Sequence, residues 1–307
     1  MKKEFKIRKN LLGKAVTALV LFAIVMTAFM PVPAVKAATK QTMYVGEKFQ
    51  YIIYGATVTS VSSSSKKVVK TAKVKDRTNA CTLEAKKTGS ATVTIKYKDY
   101  TRKTHTKKLK VTVNKLDITA TVKPLDSGYV LLEMKNNTKQ TFERAEVRYT
   151  LKNASGQVIK EDVERVYYVM TGKTTYDSIY VGRDQNIDFS QCEAKVTVAE
   201  RDPGYTYKNV AKKNLTVTKM DEADDGTNIT FKLRIKNKLN QNVQVVNYLI
   251  SYDSQGNIID MTRRTAYVNK KATETTSEYS VSKGTYSHPT FDHYELVTQA
   301  YTMEKKK

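Results

Sequence analysis

The sequence predicts an all-β protein of three antiparallel β-sandwich domains in tandem, and three observations carry that expectation. After residue 37, apolar and polar residues alternate with a period of two almost everywhere, and no long segment repeats with a period of 3.6. Thr, Val, Ile and Tyr fill these stretches, the residue types that suit a pleated, half-buried surface. Two blocks about 100 residues apart copy each other, a period that matches one sandwich domain rather than a solenoid unit.

Before the first strand comes a different kind of segment. Lys2, Lys3, Lys6, Arg8, Lys9 and Lys14 form a positive head, residues 15–30 are uncharged and apolar, and Pro31 and Pro33 end any helix there. Val35-Lys36-Ala37 then places small side chains at the −3 and −1 positions of a cleavage site. The apolar run is shorter than the ~20 residues a spanning helix needs. Residues 1–37 therefore read as an N-terminal signal helix, a signal peptide, and the rest as an exported chain whose only membrane contact is through that segment.

The strands follow. Ala91, Val93, Ile95 and Tyr97 alternate with Thr92, Thr94, Lys96 and Lys98, and Leu109, Val111 and Val113 alternate with Lys108, Lys110 and Thr112. Leu116, Ile118, Ala120 and Val122 continue the pattern, as do Ala145, Val147, Tyr149 and Leu151, and later Ile229, Phe231, Leu233 and Ile235. Each pattern buries one face of a strand and wets the other. The repeat supplies the boundaries. Glu133-Met134-Lys135-Asn136-Asn137 matches Arg234-Ile235-Lys236-Asn237-Lys238, and the segment from Tyr149 to Ile159 matches that from Ile250 to Ile259 with one residue deleted. Tyr168-Val169 answers Tyr267-Val268, and Phe189 through Glu193 answers Phe291 through Glu295. Asn153-Ala154-Ser155-Gly156 and Asp253-Ser254-Gln255-Gly256 are hairpin turns in which Gly supplies a positive φ. The expected domains are residues 38–115, 116–213 and 214–307.

Charge separates the first domain from the others. Without residues 1–37 the chain holds 46 basic and 29 acidic side chains, a net +17. Residues 38–115 account for +14 of this, with 18 Lys or Arg against Glu47, Asp76, Glu84 and Asp99. Lys70, Lys73, Lys75, Lys86, Lys96, Lys98, Lys108 and Lys110 occupy polar positions of strands or their edges. If several share one sheet face they make a positive plane for a polyanion; otherwise they form a solvated face that discourages edge-to-edge pairing. Cys81 and Cys192 fall on apolar parity in different domains and read as buried thiols rather than a disulfide framework.

The first domain resembles the bacterial group 2 immunoglobulin-like family. Tyr44-Val45-Gly46-Glu47, the run Ser62 to Val69, and Lys87-Thr88-Gly89-Ser90 leading into Ala91 to Ile95 carry the likeness over residues 39–114; Val61 stands where the family commonly has Trp. The later domains are similar to the FxLYD family of extracellular modules. Lys135-Asn136-Asn137, the turn at 153–156 and Gly172-Lys173-Thr174 carry this in one copy. Lys236-Asn237-Lys238, the turn at 253–256 and Lys270 to Thr273 carry it in the other. Both resemblances imply immunoglobulin-like sandwiches of Gram-positive surface proteins, without catalytic residues.

Other constellations are weaker. The sequence has no nucleophile elbow, phosphate loop, zincin helix or metal-spaced Cys/His cluster. His288, Asp292 and His293 read as a surface loop, and His105 as a polar surface residue. Asp221-Glu222-Ala223-Asp224-Asp225-Gly226 reads as a solvated turn, with calcium the alternative. Tyr97, Tyr149 and Tyr252 lie on core parity, which argues against a stacking platform for nucleic acid or sugar. The expected function is that of a secreted, cell-wall-associated, non-enzymatic adhesion protein without cofactors. Its basic module would contact anionic wall polymer or surface glycan. The alternatives are a structural spacer or assembly subunit with surface-protein partners, and a carbohydrate-binding module protein.

Overall fold

The computed structural model describes residues 38–125, 128–182, 186–283 and 291–305. The signal segment with its cleavage site, and His288, lie outside the described residues. The described chain is strand-built, as expected, and no helix in it is long and apolar enough to cross a membrane.

The first module contains β1 (Thr39–Tyr44), β2 (Glu47–Ile52), β3 (Ala56–Ser63), β4 (Val69–Lys73), β5 (Ala80–Ala85), β6 (Gly89–Asp99) and β7 (Thr104–Asn114). Strands β1-β7-β6-β3 form one sheet and β2-β5-β4 lie in the other. Met43, Phe49, Leu83, Val93, Ile95, Leu109 and Val111 close the core between them.

The second module contains β8 (Ile118–Pro124), β9 (Tyr129–Asn136), β10 (Phe142–Lys152), β11 (Val158–Val169), β12 (Thr174–Tyr180) and β13 (Glu193–Glu200). Its sheets are β11-β10-β13 and β12-β9-β8. The third contains β14 (Tyr205–Asn209), β15 (Leu215–Asp224), β16 (Asn228–Asn237), β17 (Val243–Asp253), β18 (Ile258–Val268), β19 (Thr273–Thr275), β20 (Tyr279–Ser282) and β21 (Phe291–Lys305). Here β14-β21-β17-β18 face β15-β16-β19, with β20 also paired to β16. β14 precedes residue 214 but bonds to β21, so this strand lies in the sheet of the third module.

The repeated Lys-Asn motif has a physical basis. Asn136 is fully buried, donates from Nδ2 to Gln140 O and Val169 O (both 2.9 Å), and accepts the Thr138 amide at Oδ1. Asn237 does the same in the third module, donating to Gln241 O (2.7 Å) and Asn269 O (2.9 Å) and accepting from Leu239 N. Each side chain satisfies backbone groups that would otherwise be buried without partners. The hairpin turns also match. Asn153 Oδ1 accepts the amides of Ser155 and Gln157, Asp253 Oδ1 those of Gln255 and Asn257, and Gly156 and Gly256 sit at φ +78° and +80°.

This turn register corrects the strand alignment read from sequence. With Asn153 opposite Asp253, Tyr149 corresponds to Leu249, not Ile250. Tyr149 and Leu249 both lie in sandwich cores, whereas Ile250 and Tyr252 face outward. A slip of one residue exchanges the two faces of a strand. Tyr252 is therefore not a core residue of its sandwich. A second slip falls in β13, where a register shift opposite Glu146/Val147 buries Ala199 in place of Val198. Of the two free cysteines, Cys81 is buried, its thiol pushed up to about 11 by desolvation, while Cys192 is half-buried at a strand end.

Residues Lys40–Lys307 pack as one unit because the modules meet through buried joints. At the first joint, β2 pairs in parallel with β13 over Glu47–Lys48 and Ala199–Glu200. Gly46, at φ +84°, lets the two backbones approach; a Cβ there would lie 2.8 Å from Thr197 O. Glu47 is wholly buried, pairs with Arg201 and accepts the Tyr44 amide at 2.9 Å. The Arg201 guanidinium also stacks 4.6 Å from the Phe49 ring centroid, and the Tyr44 ring meets Phe142 edge-on at 6.0 Å. The family-like Tyr-Val-Gly-Glu stretch is thus the joint itself.

At the second joint the outer face of β9 and β12 receives that of β17, β18 and β21. Leu131 and Met170 on one side meet Val246, Tyr248, Ile250, Met261 and Tyr301 on the other. Tyr176 packs edge-on against Tyr248 at 5.3 Å, and Tyr168 lies 5.0 Å from Tyr301.

Candidate polyanion-binding face

The eight lysines expected to bind polyanion do not form one surface; the structure divides them. Lys96 and Lys98 project from β6 on the parity opposite the core residues Val93 and Ile95, and Lys108 and Lys110 do so from β7. The strand register places Lys110 beside Thr92, Lys108 beside Thr94, Lys96 beside Thr106 and Lys98 beside Thr104. The result is one sheet face on which lysine and threonine alternate across the strands. Residues two apart on a strand stand about 7 Å apart and neighbouring strands about 4.8 Å apart, so the ammonium groups have a regular spacing. All four lysines are exposed. Among the described residues none of them has a carboxylate partner, and no acidic residue of β3, β6 or β7 points to this side.

The one acidic residue of these three strands, Asp99, is used elsewhere. It sits on core parity at the hairpin end, where its Oδ1 accepts from Thr101 Oγ1 (2.6 Å) and from the amides of Thr101 (2.8 Å) and Lys103 (3.1 Å). Its Oδ2 meets His105 Nε2 at 2.7 Å. The Thr101 and His105 hydrogen bonds hold its carboxyl down at about 2. His105 also stacks on Tyr97 at 5.3 Å, so it braces the hairpin rather than standing alone. The tip beyond carries Tyr100, 91% exposed, with Arg102 and Lys103 beside it.

The other four lysines sit on the opposite sheet or its edge. Lys70 on β4 lies directly across from Glu84 on β5, with Lys48 on its other side. Lys86 Nζ bonds the same carboxylate at 2.7 Å, and with Lys48 and Lys70 it lowers the Glu84 pKa. Lys73 is on core parity at the strand end, and Lys75 is in the following turn. This group is partly neutralised and has no common plane.

The remaining candidates resolve into local pairs. Asp221 to Asp224 lie on β15 around a register shift, not in a turn; only Asp225 and Gly226 are in the connection. Glu222 pairs with Lys219 (2.6 Å) and Asp224 with Lys283 (2.7 Å), while Asp225 Oδ1 accepts the amides of Thr227 and Asn228. These carboxylates point to separate partners. His293 pairs with Asp292 (2.8 Å) and stacks on Tyr252 at 5.0 Å. Among the described residues no three His, Cys, Asp or Glu side chains converge as a metal site would require.

No protein-family model matches the chain, and no curated protein matches it. The two family resemblances thus rest on the residues quoted above. Among solved structures the chain is similar to a tetra-tandem repeat from the extending region of a large adhesion protein, at 14% identity and a TM-score of 0.22, over 85% of this chain and 74% of that one. It is also similar to SGBP-B of the Bacteroides ovatus mixed-linkage glucan utilization locus, in complex with a mixed-linkage heptasaccharide. That match has 8% identity and a TM-score of 0.21, over 87% and 95% of the two chains. Red sea bream transglutaminase matches at 10% identity and a TM-score of 0.19, over 69% of this chain and 35% of that one, so this chain spans about a third of that protein's length. TM-scores this low carry no argument about fold or function, and the architecture stands on the strand pairings above.

Proposed function

We propose that the chain is an exported, non-catalytic surface-binding protein whose first module holds an anionic polymer, a wall polymer of repeating phosphodiesters, on the β6–β7 face. The observation that carries this reading is the set of four exposed lysines on one sheet face with no carboxylate among them. Each would trade condensed counterions for polymer phosphates, and threonine hydroxyls between them would donate to the same oxygens. The address comes from residues 1–37, and duplex nucleic acid is a poorer fit to that address. Titration of purified polyglycerol-phosphate polymer against the protein tests the reading: affinity should fall steeply between low and physiological salt. Absent binding at low salt, or binding indifferent to salt, rules it out.

A second reading, that of a rigid spacer or assembly subunit, is favoured by the two buried joints, because a freely jointed chain would need neither the Glu47–Arg201 pair nor the tyrosine layer. Cross-linking on intact cells separates the two: a spacer captures protein partners, a polymer-binding protein captures wall material.

A further inference from the structure

The third module carries a recess that no part of the polyanion reading uses. It measures about 580 Å³ and is lined by Gln241, Asn242, Gln244, Tyr267, Met303 and Glu304, with Lys270 and Lys305 at its margin. Gln244 and Tyr267 are cross-strand neighbours on β17 and β18. Gln244 shares its strand face with Val246 and Tyr248, so the recess is the end of the docked face that the second module leaves uncovered.

Comparison of the two copies shows that Tyr267 is held there deliberately. Gln140 and Gln241 each accept from the buried asparagine of their module, which makes Thr141 the counterpart of Asn242. In the second module Thr141 Oγ1 accepts the Thr171 amide at 3.1 Å; in the third, Asn242 Oδ1 accepts the Lys270 amide at 2.9 Å. A threonine therefore suffices for the fold. The asparagine adds a donor, and its Nδ2 bonds the Tyr267 hydroxyl. By strand register the counterpart of Tyr267 in the second module is Tyr167, which lies across from Arg144 as Tyr267 lies across from Gln244, and Tyr168 is an extra residue between the paired positions. Both rings are exposed, Tyr167 at 43% and Tyr267 at 54%, but Thr141 has no side-chain amide to offer its tyrosine, so the Asn242 tether is the difference between the copies. An exposed aromatic ring fixed in orientation by a neighbouring amide is prepaid in conformational entropy for stacking.

The other groups suit the same kind of ligand. Gln241, Asn242 and Gln244 offer donors and acceptors together. Glu304 is neutralised by Lys208 at 2.6 Å. Lys270 and Lys305 have no carboxylate partner among the described residues.

We propose that this recess binds a saccharide, with a pyranose C–H face against the Tyr267 ring, ring hydroxyls on the three amides, and an acidic substituent at Lys270 and Lys305. The site is separate from the β6–β7 face and does not depend on it. The test uses the whole chain with Lys96, Lys98, Lys108 and Lys110 changed to Gln, so that the first module contributes no binding. A glucuronate–N-acetylglucosamine tetrasaccharide is titrated by calorimetry and saturation-transfer NMR, beside the neutral N-acetylglucosamine tetramer. The acidic sugar should bind saturably and tighter than the neutral one. Tyr267→Ala should weaken it by about tenfold. Asn242→Thr should weaken it several-fold while leaving the melting temperature unchanged, because Thr141 already fills the equivalent structural role. Absent binding of the acidic sugar, or unchanged affinity in Tyr267→Ala, overturns the site. Equal binding of the two sugars overturns the assignment of Lys270 and Lys305.

Discussion

Strands β10 and β17 hold the same place in two copies of one sandwich, and their outer faces are opposites. On β10 that face carries Arg144, paired with Glu200 at 2.5 Å, Arg148 with Glu161 at 2.8 Å, and Lys152 with Glu193 at 3.1 Å. On β17 the corresponding positions are Gln244, Tyr248 and Tyr252, and together with Val246 and Ile250 they meet the second module or border it. The buried asparagine and the hairpin turn are shared, and both inner faces are buried, although β17 places Asn247 and Ser251 where β10 has Val147 and Leu151. The copies thus keep what closes a sandwich and differ in what the sandwich touches. One outer face is solvated by ion pairs, while the other has become part of an interior.

The largest test of that contrast is Tyr248→Ala. Removing a fully buried aromatic side chain from the joint should cost about 3–5 kcal/mol, read as a lower denaturation midpoint and faster amide exchange in β12 and β17. Stability within about 1 kcal/mol of the parent would break the comparison. Asn136→Ala and Asn237→Ala sharpen it from the shared side. Each should cost about 1–3 kcal/mol by orphaning backbone carbonyls, and the two costs should agree; a cost in only one copy would mean the motif is not equivalent. Arg148→Ala, on the solvated face, should change stability by only about 0–1 kcal/mol in chemical denaturation.

The smallest effect is one of pH, on the edge strand β12, where Asp177 lies across from the core residue Leu132. Asp177 on β12 is half-buried, and desolvation raises its carboxyl pKa despite the Ser178 amide and the Arg263 charge. A carboxyl raised in the folded state favours the protonated form, so its contribution is complete below the unfolded pKa and is lost as pH rises through the folded one. Asp177→Asn should therefore melt higher than the parent at pH 7, with the gap closing in mild acid. A gap that widens in acid would contradict the assignment. Asp99 has the opposite sign. Held at about 2, its contribution is present above the ordinary carboxylate range and fades as pH falls towards that value.

Much of this fold is legible in the alternation. Ala91, Val93, Ile95, Leu109, Val111, Ala145, Val147 and Tyr149 are buried as their parity requires. What parity cannot show is which outer face finds a partner, because docking depends on residues distant in sequence. A signal exists all the same. Val243 to Tyr252 and Val130 to Leu132 are apolar on both parities, the pattern of a strand covered on both sides. The lysine face was half legible. Period two places Lys96, Lys98, Lys108 and Lys110 on outward positions, but only the sheet order separates them from Lys70 and Lys86, which gather around Glu84. The recess at Tyr267 left no trace in the pattern, since it depends on the extra donor of Asn242 meeting a ring 25 residues away.

The most direct measurement compares two charge-matched variants for binding to polyglycerol-phosphate polymer across a salt series. One changes Lys96, Lys98, Lys108 and Lys110 to Gln; the other changes Lys70, Lys73, Lys75 and Lys86. The β6–β7 variant should lose most of its affinity and its salt dependence, while the second should bind much like the parent. Equal losses in both would mean that net charge alone, and not the lysine–threonine face, holds the polymer.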